Sequence, residues 1–385
     1  MTSFMTPRSN NRLVTWWWSI DRVALVGMLI LALVGIVMVG TASPAVAVRI
    51  GLEGYHFLSR HLVFLALALA LMMVTACLNL RWVWRLSCIL FAVSVIGVIA
   101  TLVYGTEIKG ATRWIRVFNL SVQPSEFLKP AFIVVSAWIL GKQKSNPDFP
   151  GAVVVLGIYA VTAGLLVLQP DFGMTFLLSL VFATQIFLAG CPLRYVIIIG
   201  MVGVVGVLLG YAMLDHVRDR IDRFLVPESG DTYQVDRSQE AFMNGGIVGM
   251  GLGQGTAKLQ IPDVHSDFIF SAVGEEWGFV FTALLIGLYV FLFYRLLGRI
   301  SRSDSIFVML GGSGLVIMLV VQCVVHMGST LRLLPTKGMT LPFISYGGSS
   351  LIAVGISFGF ILALSRAIPD KKPGSGWRHL RKKDF

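Results

Sequence analysis

Runs of about twenty apolar residues, separated by short polar segments, recur along nearly the whole chain. They centre near residues 33, 70, 95, 134, 160, 181, 205, 287, 317 and 357. A helix of about 20 apolar residues crosses the hydrocarbon core of a bilayer, so the pattern predicts ten transmembrane helices. Each run is apolar all round, as expected of helices that face lipid or one another. The longest interval between runs, 215–267, is rich in Arg, Asp and Gly and is expected to form a large soluble loop between spans 7 and 8. The expected fold class is therefore an all-α polytopic membrane protein. Residues 1–22 would form an N-terminal segment, 23–368 the ten-helix domain and 369–385 a flexible basic tail.

Composition sharpens this picture. The 385 residues are 56% hydrophobic and only 13% charged, against roughly 45–50% and about 25% in soluble domains. The net charge of +11 does not indicate nucleic-acid binding, because basic runs interleaved with stacking aromatics are missing. It fits loops that fix topology through the positive-inside rule. Ten spans put both termini on one side, and 18 of the 31 Lys and Arg fall on that side. Five of the remaining 13 (Arg218, Arg220, Arg223, Arg237 and Lys258) lie in the long loop, which can translocate despite its charge. An N-in, C-in protein with an extracytoplasmic long loop is expected. The apolar run before "SPAVA" is longer than a signal-peptide core of roughly 7–15 residues, so it reads as an uncleaved first span anchored by Trp16, Trp17 and Trp18. Cys77, Cys88, Cys191 and Cys323 show no CxxC spacing and read as small hydrophobes.

This orientation gathers four polar segments on the outer face: "KGATRWIRVFNLSVQPSE" (109–126), "QPDFG" (169–173), "IPDVHSDFIFSAVGEEWG" (261–278) and "LLPTKGMTLPFISYGGSS" (333–350). Asp267 stands where the long loop meets span 8. An ionisable group near hydrocarbon is a functional candidate by default; its alternative role is to cap the helix that follows. Glu275 and Glu276 lie about two turns further in, where an ion pair with a basic residue is expected. Asp263, His265 and Asp267 alternate, so an extended segment would point all three to one side. Such a set could hold a divalent ion, Mg or Mn. Glu126 and Lys129 share a helix face at i,i+3 and could pair or bind substrate, and Pro124 suits a first helical position. Asp171 reads as a helix cap or a ligand group. Lys109 and Arg113 are cations on the side where the positive-inside trend disfavours them, which an anionic partner would explain. "NGGIVGMGLGQGTAK" (244–258) is neither a Walker A nor a Rossmann fingerprint and reads as a mobile outer loop. With no cytoplasmic nucleotide site in view, an ATP-driven pump is not expected.

Taken in order, "QPSE", "QPDFG", "HSDFIF…EEWG" and "PFISYGGSS" resemble the SEDS family (shape, elongation, division and sporulation) of peptidoglycan glycosyltransferases over nearly the whole chain. "NGG" and "LPTKGMTLPFISYGG" look more like its cell-division member than its elongation member. Departures from the family pattern are Ser266, the "RVFNL" turn, His326 and Arg332. The resemblance implies a ten-helix fold whose outer face takes lipid II, a disaccharide-pentapeptide on undecaprenyl pyrophosphate. It places Asp267 as the general base. Lys109, Arg113, Glu126, Lys129, Asp171, His265, Lys337, Ser345 and Tyr346 become candidate substrate-binding residues. It also implies a class B penicillin-binding protein transpeptidase and other divisome membrane proteins as partners at the division septum. The donor sugar already carries its pyrophosphate leaving group, so no nucleotide, haem or flavin is called for. A lipid II flippase and a non-catalytic divisome scaffold remain alternatives.

Overall fold

The computed structural model describes residues 12–108, 111–117, 120–191, 193–213, 218, 222, 232–335 and 338–366. Among these residues there are twelve α-helices. A short α1 (Arg12–Ser19) precedes α2 (Arg22–Arg49), α3 (His56–Cys77), α4 (Leu80–Tyr104), α5 (Pro124–Ser145), α6 (Gly151–Leu168), α7 (Phe172–Leu188) and α8 (Leu193–Met213). Then follow α9 (Tyr233–Gly245), α10 (Ile269–Ile300), α11 (Ile306–Thr330) and α12 (Gly348–Leu364). Every one of the ten expected centres falls inside a helix, and six helices are long and apolar enough to cross a membrane. The chain is a polytopic helical membrane protein.

Local chemistry sets the helix starts. Asp21 accepts from Ala24 N at 3.0 Å to begin α2, and Asn79 accepts from Trp82 N at 3.0 Å to begin α4. Pro124 opens α5, where its missing N–H costs nothing. Around the expected outer segment 109–126 the chain forms a small antiparallel sheet, β1 (Thr106–Ile108), β2 (Ala111–Val117) and β3 (Leu120–Val122), in order β1-β2-β3. Its central strand, "ATRWIRV", mixes polar with β-branched and aromatic residues that favour strands, and it is too short to register among twenty-residue runs.

The interior is built on α5, which is buried on nearly every face between Ser125 and Ala137. Hydrocarbon offers no hydrophobic drive between helices, so close packing must hold the bundle. Gly355 and Gly359 of α12, four residues apart, let its backbone lie against Ala68, Met72 and Thr75 of α3, where a Cβ would collide. At the far end of α10, Arg295 donates to both Asp21 carboxylate oxygens at 3.0 and 2.9 Å. Arg299 donates to Asp21 at 3.1 Å, to the Ser19 carbonyl at 3.1 Å and to the Ser365 carbonyl at 2.7 Å. One arginine thus holds the starts of α2 and the end of α12, so both ends of the bundle domain share a face. Asp267 lies just before the opposite end of the 32-residue α10.

Candidate active site

Residues 262–268 fold as consecutive turns. The Asp263 carbonyl accepts from Ser266 N at 3.2 Å and Asp267 N at 3.0 Å. Helix α10 begins at Ile269, and the cap position falls to Phe268 rather than to Asp267. Asp267 is half-buried. Its turn is gripped from outside by the segment leading into α12. Ser345 Oγ donates to the Ser266 carbonyl at 2.7 Å while accepting from Leu341 N at 2.8 Å, and Tyr346 N donates to the His265 carbonyl at 2.8 Å. Ser345 and Tyr346, expected to bind substrate, are placed to hold the carboxylate's backbone. The gripping segment is fixed in turn: Tyr289 Oη donates to the Pro342 carbonyl at 2.5 Å, and His326 Nδ1 bonds the Met339 carbonyl at 2.6 Å.

His265 is buried with its ring 4.2 Å from that of Phe57 and 5.2 Å from that of Tyr346. Burial pushes its pKa down to about 4, against a smaller upward pull from Asp263. Gly338 lies against Asp267: a Cβ there would come 3.2 Å from Asp267 Oδ2, at a φ of +60° that suits glycine. Sequence reasoning did not single out Gly338, Phe57 or Tyr289. The available signal for Gly338 was a glycine inside a Pro-flanked polar re-entry.

The other candidates collect at the same end of the bundle. Lys129 Nζ donates to Glu126 Oε2 at 2.8 Å, and both side chains are buried at the start of α5. Arg113 on β2 donates to the Pro170 carbonyl at 2.8 Å and lies 3.5 Å from Asp171. Asp171 also caps α7, accepting from Met174 N at 3.2 Å, as its cap reading expected. Gln123 N donates to Ser349 Oγ at 3.0 Å. A line of hydrogen bonds therefore joins the α5 start, the α12 start and the Asp267 turn. Lys109 and Lys337 lie outside the described residues.

Two expectations are corrected. The alternation argument for a metal site at Asp263, His265 and Asp267 needed an extended strand, but turns occupy that segment. His265 is packed into the aromatic cluster, and among the described residues no three His, Cys, Asp or Glu side chains are placed to hold a metal ion. The donor set does not fit a protein-held divalent ion. The glycine-rich segment, expected to be mobile, is bonded along a break in α10 at Gly278. Met250 N and Gly251 N donate to the Glu275 and Glu276 carbonyls, each at 3.0 Å. Phe279 N and Val280 N donate to the Gly246 and Ile247 carbonyls at 2.9 and 3.1 Å. Four backbone groups flanking the break thus find partners in the loop. Gly249 and Gly278 face each other with positive φ, and neither tolerates a Cβ.

Glu275 and Glu276 belong to this joint. The Glu275 carboxylate accepts from Thr256, Ala257 and Lys258 N at 2.8, 2.7 and 2.9 Å. Glu276 pairs with the fully buried Lys258, whose Nζ also donates to the Thr41 carbonyl at 3.2 Å. The expected structural ion pair is present. Glu275 and Glu276 are thus buried in the joint, whereas Asp263 and Asp267 stay partly exposed at the turn.

A family of cell cycle proteins, FtsW/RodA/SpoVE, matches residues 21–368, and the chain belongs to that family. A probable peptidoglycan glycosyltransferase FtsW of Caulobacter vibrioides is 37% identical over 362 residues, 94% of this chain and 93% of that one. A protein of the same description from Trichlorobacter lovleyi is 34% identical over 356 residues, 90% of this chain and 93% of its own. Among solved structures, a peptidoglycan synthase complex that coordinates polymerization and crosslinking matches with a TM-score of 0.74 at 29% identity, over 91% of this chain and 98% of that one. The rod shape determining protein RodA of Thermus thermophilus matches with a TM-score of 0.66 at 28% identity, over 91% and 97%. The SEDS resemblance read from the sequence is borne out.

Proposed function

We propose that this chain is a peptidoglycan glycosyltransferase that polymerises lipid II on the outer face of the cytoplasmic membrane, with Asp267 as general base. The observation that carries the reading is the placement of Asp267. It is a half-buried carboxylate on a turn locked by Ser345 and Tyr346. It shares one end of the bundle with two further cation–carboxylate pairs, Arg113–Asp171 and Lys129–Glu126. The relatives' names supply the reaction class.

In this reading Asp267 takes the proton from the 4-hydroxyl of the acceptor sugar as that oxygen attacks C1 of the donor. The C1–O bond to undecaprenyl pyrophosphate breaks with inversion, giving a β-1,4 link, and the pyrophosphate leaves with the electron pair. A positioned base is worth about 10²–10⁴ in rate. Arg113 and Lys129, at the same end of the bundle as Asp267, are proposed to oppose charge on the departing pyrophosphate; Lys109 and Lys337 are proposed for the same duty. The termini are proposed to be cytoplasmic, the site periplasmic, and the place of action the division septum. The partners proposed are a class B penicillin-binding protein transpeptidase, as in the matched synthase complex, and other divisome membrane proteins.

Charge placement weighs against a flippase. Among the described residues, every charged side chain in a spanning helix lies within eight residues of one of its ends, which leaves no charged path through the middle. The deciding experiment supplies purified protein, its transpeptidase partner and lipid II, with and without magnesium. The reading expects glycan polymer from wild type and none from Asp267→Asn. Asp267-dependent translocation of lipid II without polymer would replace it with a flippase. Magnesium dependence would mean an ion arriving with the pyrophosphate.

A further inference from the structure

Residues 241–257, "AFMNGGIVGMGLGQGTA", contain no charged side chain, although they belong to the interval expected to be a soluble loop. Phe242 packs inward against Phe270, but Met243, Ile247 and Val248 are turned outward, 75%, 70% and 77% exposed, and Leu252 is exposed as well. An exposed apolar patch of this kind on a loop in water would be a liability.

Two helices independently measure how deep this loop sits. The Asp21–Arg295 ion pair joins α2 and α10 and is taken as one edge of the membrane region on both. At the other edge, Lys258 touches Thr41 of α2 and Glu276 of α10. Thr41 lies twenty residues beyond Asp21, and Glu276 lies nineteen residues before Arg295. At ~1.5 Å per residue both paths span about 30 Å, which is about the thickness of the hydrocarbon core. Lys258 and Glu276 therefore sit at its outer boundary, and their polar heads face each other instead of lipid. The loop backbone is bonded to Phe279 and Val280, on the hydrocarbon side of Glu276. Phe279 and Phe281 of α10 are exposed beside it, so the apolar surface of the loop continues that of a spanning helix.

We infer that residues 243–252 form a wedge immersed in the outer leaflet, with Met243, Ile247, Val248 and Leu252 embedded among lipid acyl chains. The break in α10 is what admits the wedge, because it supplies the backbone partners that lipid cannot. The loop is a lipid contact that fixes the depth of the helix leading from Asp267.

The test uses the full-length protein, its native cysteines replaced, in bilayers of phosphatidylglycerol and phosphatidylethanolamine. A bimane label is placed at Val248→Cys and, in a second protein, at Ile247→Cys, with Glu53→Cys as an aqueous control and Phe281→Cys as a lipid control. The inference expects both loop labels to lose fluorescence to lipids carrying a nitroxide near the headgroup end of the acyl chain, and to resist iodide. Quenching by iodide but not by lipid nitroxide, as for the Glu53 control, would overturn it. Protection from iodide only after the transpeptidase partner is added would overturn it too, and would assign the patch to protein.

Discussion

Gly338 shows how much of the site's precision rests on single residues. The glycine accepts φ +60° and leaves room for the Asp267 carboxylate; an alanine there would carry backbone strain and crowd Oδ2. Strain of about 1–3 kcal/mol on the group that must meet the sugar hydroxyl corresponds to a loss of on the order of tenfold or more in rate. Gly338→Ala is expected to lower polymer yield by that amount and Tm by a few degrees, measured side by side on the purified protein. His265 makes a second prediction. Its folded pKa, about 4, is below the ordinary 6.5, so between these values the unfolded chain binds a proton that the folded one does not. Its contribution is unchanged above pH 6.5 and turns against the fold as pH falls toward 4. Thermal melts should show Tm falling more steeply across pH 6.5 to 4 for wild type than for His265→Phe; equal slopes would contradict this. Asp267, Glu126 and Lys129 were legible in the sequence because charge beside apolar runs is rare. Gly338 and Phe57 were not, since a positive φ and a ring contact between distant segments leave no mark in spacing.

At the scale of elements, the joint between the glycine-rich segment and α10 decides where α10 can break. The sequence placed Glu275 and Glu276 in a pair with some base, but could not name Lys258, because the partner depends on how a loop of glycines folds back. The small sheet of 106–122 was hidden for a related reason: its strands are three to seven residues long, and a scan tuned to spans passes over them. The buried pair gives a prediction. Removing one partner strands a charge at the edge of hydrocarbon, which costs about 3–5 kcal/mol, whereas replacing both with apolar groups is often nearly neutral. Lys258→Met should therefore lower Tm strongly in detergent, and Lys258→Met combined with Glu276→Leu should recover much of the loss. A double variant no more stable than the single would show that the pair matters through something other than its charges.

For the molecule as a whole, the helical, membrane-spanning character could be read from hydropathy, because long apolar runs obey one length and polarity rule, and each expected centre falls inside a helix. Which faces meet inside the bundle could not, since α3 and α12 find each other through Gly355 and Gly359 and not through any apolar periodicity. Arg299, bonded to both Ser19 and Ser365, puts the two ends of the domain on the face opposite Asp267. With the charge asymmetry of the loops, this predicts that a reporter fused to the C-terminus is active only in the cytoplasm, while a cysteine at Glu53 reacts in intact cells with a membrane-impermeant maleimide. The opposite labelling would put Asp267 on the wrong side for an extracytoplasmic polymerase. The most direct measurement is the rate of lipid II polymerisation by Asp267→Asn against wild type, each with its transpeptidase partner and each verified folded by its melting curve. Loss of a general base predicts a fall of about 10²–10⁴ at unchanged Tm; a folded variant that polymerises at the wild-type rate would contradict the account.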